Sequence, residues 1–185
     1  MGYSYSQDEQ KMCYNNAKNW QLGWFAGAYK EVSKKSVYTG PLKGQINYDV
    51  SGVTQTPVVV KVGNYYIGFN HRAKHHTNTA EAANQVTVQE ASGSGFAQSW
   101  LVAKLSAGGQ WSVDIDGMLL QVTVNSITTN ADTGVAQVSI KYGACTSDAD
   151  CNDTCGLEIC GVLSGVCEVN PTPREYFTLL QPLFA

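Results

Sequence analysis

Residues 56–70 read TPVVVKVGNYYIGFN. Two runs rich in β-branched and aromatic residues flank Gly63-Asn64, a two-residue loop of the kind that closes a β-hairpin. Upstream, after Tyr29, the apolar period falls to two, and Ile46, Tyr48 and Val50 alternate with polar residues. Downstream come QVTVQEA at 85–91 and SWLVAKL at 99–105. Gly108-Gly109 then turns the chain into QWSVDI, where Trp111, Val113 and Ile115 alternate. LLQVTVNSI and VAQVSIKY close the series around the turn TTNADTG. About seven to nine short strands with turn chemistry between them predict an antiparallel β-sandwich over residues 26–142. A parallel α/β sheet would need a helix in each interval, and these intervals are too short and too rich in Gly, Asn and Thr.

One helix precedes the strands. Ser6-Gln7-Asp8-Glu9 forms a capping box, with Ser6 placed to bond the Glu9 amide and Glu9 to reach back. Cys13, Ala17 and Trp20 follow at i, i+4, i+7 with Met12 beside them, an apolar stripe on one face. Gly23 stands where a C-cap belongs. The pattern predicts an amphipathic helix over 7–22, after which Trp24 and Phe25 lead back into apolar packing. The expected fold is mainly β: a sandwich preceded by one helix and followed by a small cysteine-rich tail.

The chain has 185 residues and a net charge of −3. That length suits one full-core domain with a small appendage. No basic stripe marks a nucleic-acid footprint, and no apolar run is long enough for a membrane span. No secretory leader follows Met1. Yet five of the six cysteines, Cys145, Cys151, Cys155, Cys160 and Cys167, crowd into the segment 143–170. This density belongs to an oxidising, extracellular compartment. A tail built this way without a leader suggests that the true start lies upstream of Met1. The final segment, 171–185, is apolar for a terminus. Tyr176, Phe177, Leu179, Leu180 and Leu183 can pack back on the sandwich or meet another domain.

Few constellations carry chemistry. All three histidines lie in HRAKHH, as His71, His75 and His76. Three imidazoles so close invite a metal reading. Arg72 and Lys74 interrupt them and no acid or thiol is interleaved, so a solvated basic loop is the stronger expectation. The cysteines at C-x3-C and C-x4-C come near zinc spacing, but the acidic context SDADCND favours disulfides. Five clustered thiols leave one over, so Cys13 is a further bridge candidate; connectivity is not readable from spacing. Asn152-Asp153-Thr154 is a sequon, which makes Asn152 a glycosylation candidate. Asp148, Asp150, Asn152 and Asp153 begin like a calcium loop, but Asp153 and Ile159 stand where Gly and Glu are required. No G-x-S-x-G supports a nucleophilic serine. Tyr65, Tyr66, Trp100 and Trp111 are candidates for a sugar-stacking face, weighed against an ordinary core role.

The stretch MGYSYSQDEQKMCYNNAKNWQLGWF resembles the region just after the zinc motif of gametolysin-type metallopeptidases, which are metzincins. NYYIGFN, TAEAANQVTV and QSWLVAKLSAGG resemble the β-rich part of the same proteins, so the likeness spans about residues 1–142. The resemblance implies that Met1 is the Met-turn methionine and that Tyr3 is a candidate zinc-site tyrosine. It implies that 1–25 is the Met-turn-like segment and closing helix of a catalytic domain. It also implies a zinc-dependent, secreted parent acting on extracellular-matrix or cell-wall glycoproteins. The family's HExxHxxGxxH is absent from this chain, and with it the metal ligands and the general base. The chain alone is therefore expected to hold no zinc or other cofactor and to be inactive, its partner being the missing N-terminal half. The stripe of Met12, Cys13, Ala17 and Trp20 would then be orphaned. The alternative is a stand-alone secreted β-sandwich module that binds a glycan or matrix protein.

Overall fold

The computed structural model describes residues 14–25, 27–48, 56–92 and 97–143, and the backbone of two short strands at 158–160 and 167–169. Helix α1 spans Asn16–Gln21. Nine strands follow: β1 (Tyr29–Glu31), β2 (Ser36–Lys43), β3 (Val59–Val62), β4 (Tyr65–Asn70), β5 (Gln85–Glu90), β6 (Trp100–Leu105), β7 (Gln110–Ile115), β8 (Met118–Thr129) and β9 (Gly134–Tyr142). They form a five-stranded sheet, β1-β3-β4-β5-β6, and a four-stranded sheet, β2-β9-β8-β7. The strands β10 (Glu158–Cys160) and β11 (Cys167–Val169) pair with each other. Short 3-10 turns lie at Gln45–Asn47 and Lys74–His76.

Alternation explains how the two sheets meet. Ile67 and Phe69 of β4, Val86 and Val88 of β5, and Leu120, Val122 and Val124 of β8 are all fully buried. With Ala136, Val138 and Ile140 of β9 they make one core shared by both sheets. Every second residue of a strand faces the same side. In β8 the register shifts between Val124 and Ser126. The extra residue changes the phase, so Ile127 rather than Ser126 packs against the core.

The opening hairpin forms as expected. Val62 pairs with Tyr65 across Gly63-Asn64. Gly63 takes φ +55°, the conformation that the first position of a type II′ loop requires. The VVV run in β3 does not alternate, because this strand is covered on both sides. Val60 and Val62 face the second sheet, whereas Val58 and Val59 pack with Ala17, Ala28, Tyr66 and Ala91 in a second apolar cluster. Helix α1 lies over that second face, so the order of layers is helix, sheet, sheet.

Several expectations need correction. The helix is shorter than 7–22 at its start: Tyr14 and Asn15 are not helical, and Asn15 is the N-cap. Its side chain accepts from the Lys18 amide at 3.0 Å, which satisfies one orphan donor of the first turn. Ser6, Glu9, Met12 and Cys13 lie outside the described residues. The helix stops as predicted. Gly23 adopts φ +68° and donates to the Trp20 carbonyl, while Trp24 donates to the Asn19 carbonyl, the two bonds of a Schellman cap. Residues 45–47 form a 3-10 turn instead of a strand, because the Asn47 side chain is pinned on both sides, as described below; Val50 lies outside the described residues. The first sheet is not wholly antiparallel. β1 runs parallel to β3, since the chain between them crosses to the second sheet to form β2.

Candidate functional site

Most sequence-derived candidates cannot be placed. Met1, Tyr3, Cys13, Cys145, Cys151, Cys155 and Asn152 lie outside the described residues, as does the acidic loop from Asp148 to Asp153. Cys160 and Cys167 fall in β10 and β11, directly opposite one another in an antiparallel pair.

The histidine segment is described in full, and it is not a solvated loop. His71 and His76 are buried, and only His75 is exposed. His71 leaves the end of β4 and turns inward. Its Nδ1 lies 2.7 Å from Asn47 Oδ1, and its ring stacks on Phe69. Asn47 Nδ2 in turn donates to the Asp132 carbonyl at 2.6 Å. Two glycines make room. A β-carbon on Gly44 would come within 2.6 Å of His71 Cβ, and one on Gly134 would overlap the imidazole ring. Burial holds the His71 pKa below its ordinary value, the Asn130 backbone carbonyl pulls it back up, and Lys74 lowers it again. Burial also lowers His76, followed by the charges of His75 and His71. The His75 and His76 rings meet edge to face at 5.3 Å. Among the described residues, no group of three or more His, Cys, Asp or Glu side chains is placed to hold a metal ion. The described residues thus do not fit a zinc site.

A second polar cluster lies under α1. Asn16 is buried against β5, and its Nδ2 donates to Thr87 Oγ1 at 3.1 Å and also to Gln89 Oε1. Gln45 Nε2 donates to Asn16 Oδ1, and Asn19 Nδ2 donates to Gln45 Oε1 at 3.0 Å. Gly68 lets the helix approach: a β-carbon there would overlap the Asn16 amide. Asn19 Oδ1 is buried without a hydrogen-bond partner among the described residues. Tyr29 Oη donates to the Asn19 carbonyl at 2.6 Å. Burial, and next the neighbouring Tyr48, pushes the Tyr29 pKa up to about 12.

The aromatic residues divide differently from the sugar-platform reading. Tyr66 is buried on the helix side of the sheet. Tyr65 and Trp111 pack on each other at 5.4 Å, against the shared core. Only Trp100 stands free, 61% exposed on the edge strand β6, followed by exposed Leu101 and Val102. Trp24, expected to return to the core, is 48% exposed and meets the exposed Tyr14 at 5.2 Å. Phe25 does turn inward, onto Tyr48.

No known protein family, curated protein or solved structure matches this chain.

The geometry therefore speaks for itself. The amide cluster is a structural joint, since Asn16, Gln45, Thr87 and Gln89 bond one another and only Asn19 Oδ1 is left without a partner among the described residues. The histidine segment joins the end of β4 to the β8–β9 turn. Tyr14, Leu22 and Trp24 at the two ends of α1, and Trp100, Leu101 and Val102 on the edge strand β6, form two groups of exposed large apolar side chains; Val37 of β2 and Leu119 of β8 are exposed as well. Pattern reading misses the Tyr14–Trp24 pair because a helix over 7–22 puts Tyr14 in its middle. The Asn15 cap and the positive φ of Gly23 bring the two rings together from opposite ends of a short one.

Proposed function

We propose that this chain is the C-terminal portion of a secreted gametolysin-like zinc metalloendopeptidase acting on extracellular-matrix or cell-wall glycoproteins, and that the isolated chain does not cleave peptides. Its foundation is the stretch MGYSYSQDEQKMCYNNAKNWQLGWF and what lies at its end. One observation carries it: α1 covers the first sheet, and the residues at its two ends, Tyr14 before it and Leu22 and Trp24 after it, are exposed. A tyrosine–tryptophan pair and a leucine left outward on a closing helix are what a preceding catalytic domain would cover.

Secretion would oxidise the cysteines. Residues directly opposed in an antiparallel pair have Cα atoms about 4.5–5.5 Å apart, within the span of a disulfide. The register of Cys160 opposite Cys167 thus supports the bridged tail. The sequon at Asn152 fits the same compartment.

The second reading is a stand-alone secreted β-sandwich module that binds a glycan or matrix protein without catalysis. It is favoured by the helix stripe, because Ala17 is fully buried and Trp20 packs on Tyr29 and Tyr66 of the chain's own sheet. The described half of the stripe, Ala17 and Trp20, is not orphaned. Transcript sequencing upstream of the Met1 codon separates the two. The peptidase reading expects an open frame that contains HExxHxxGxxH and a signal peptide. A stop codon immediately upstream rejects it. The binding module would then be expected to bind a wall polysaccharide and to lose that retention in Trp100→Ala.

A further inference from the structure

The histidine segment contains a device that the proposed function does not use. Four pieces of chain converge on the His71 ring. Phe69, at the end of β4, stacks on it. Asn47, from the 3-10 turn 45–47, faces Nδ1 at 2.7 Å. Gly134, from the start of β9, lies against the ring with no room for a β-carbon. The Asn130 backbone, from the β8–β9 turn, favours the charged form of the imidazole. Asn47 then carries the connection onward to the Asp132 carbonyl at 2.6 Å, and Gly44 donates its amide to the Gly134 carbonyl at 2.9 Å. The imidazole is 2% exposed. It is the bolt between the first sheet and the turn that ends the second.

We propose that His71, with Asn47 and the β8–β9 turn, forms an acid-sensitive latch between the two sheets, closed while the imidazole is neutral and released when it gains a proton.

The charged and titratable groups around the ring are few. From the turn 74–76, Lys74 and His76 act on it, both disfavouring a positive charge. Arg72, the next residue, has its guanidinium on the Thr77 carbonyl. From the turn 45–47 comes only the neutral Asn47, and from β4 only Phe69. From the β8–β9 turn come the Asn130 carbonyl, which favours the charge, and Asp132, which is exposed and meets Asn47 through its backbone. Burial outweighs that carbonyl. A buried cation beside a lysine is costly, and the chain relieves it by moving the ring into water. Because the neutral form is favoured in the fold, the latch is fully closed above the ordinary histidine value of 6.5 and weakens as pH falls below it.

Hydrogen exchange on the intact chain tests this at two amides. Gly44 bonds Gly134 beside the His71 ring, at the end of the β2–β9 ladder, whereas Gly108 bonds Val124 elsewhere in the second sheet. Between pH 7.5 and pH 5, the protection factor of Gly44 is expected to fall about tenfold or more while that of Gly108 holds, as for a local opening. His71→Gln should flatten this dependence. In case His71→Gln does not fold, Asn47→Asp serves: a carboxylate on Nδ1 favours the imidazolium and should move the opening to lower pH, whatever it does to stability at pH 7.5. Equal loss at both amides, no loss at Gly44, or an unshifted profile in Asn47→Asp each overturns the latch. The last result would pass the acid response to His76.

Discussion

Tyr29 shows how much a single half-buried polar group can determine. Its hydroxyl donates to the Asn19 carbonyl, next to an Asn19 Oδ1 that has no hydrogen-bond partner among the described residues. Burial raises its pKa to about 12 from an ordinary value of 10.0. The fold therefore favours the neutral phenol. That contribution to stability is complete below pH 10 and is lost as pH rises toward 12. Denaturant midpoints measured from pH 9 to pH 12 should fall over this window, and Tyr29→Phe should lose most of the slope. An unchanged slope in the variant would place the alkaline sensitivity elsewhere. None of this was legible in the sequence, where Tyr29 marks only the change of apolar period. His71 teaches the same lesson. HRAKHH reads as a solvated basic segment because Arg72 and Lys74 dominate it, yet the ring at its head is buried. The sequence signal was present in Gly44 and Gly134, two small residues far apart in the chain. Only the pairing of β2 with β9 brings them to the same ring.

At the scale of elements, strands were easier to read than the helix. The runs at 85–91, 99–105 and 110–115 and the two long runs after them became β5 to β9; in β8 and β9 burial on one face imposes a period of two, while β5, covered by the second sheet and by α1, is buried on both faces. The helix failed at its start. The capping box at Ser6 lies outside the described residues; the described helix starts from the Asn15 cap, and the side chains that follow it meet a specific surface. That surface explains why α1 buries two asparagines instead of an unbroken apolar stripe. Asn16 reaches across the sheet to Thr87 and Gln89 through the gap that Gly68 leaves in β4. Gly68 is thus the contact point between helix and sheet. Gly68→Ala should push Asn16 off its partners and cost about 1–3 kcal/mol, the usual range for overpacking a close contact. Urea unfolding measures it. A loss near zero would show that the helix can lift without strain, and that the amide cluster contributes little.

For the whole molecule, the question is whether three layers behave as one. The first sheet belongs to both interfaces, since Val59 packs toward the helix and Val60 toward the second sheet, and both are fully buried. Neither apolar cluster can open without exposing the other side of β3. The connections reinforce this. β2 pairs with β9 about a hundred positions away, as in Thr39 opposite Ser139, and Asn16 bonds Thr87 across 71 positions. Pairing over such distances closes large loops late, so the layers should form and melt cooperatively. Two tryptophans report on them separately: Trp20 lies between helix and sheet, and Trp111 packs on Tyr65 between the sheets. Variants that keep one of these as the sole tryptophan, the others replaced by Phe, should give coincident denaturation midpoints. If Trp20 reports an earlier transition than Trp111, α1 is an independent flap. Its outward Tyr14 and Trp24 would then be positioned by whatever covers them and not by the sheet beneath, which would strengthen the case for a preceding domain.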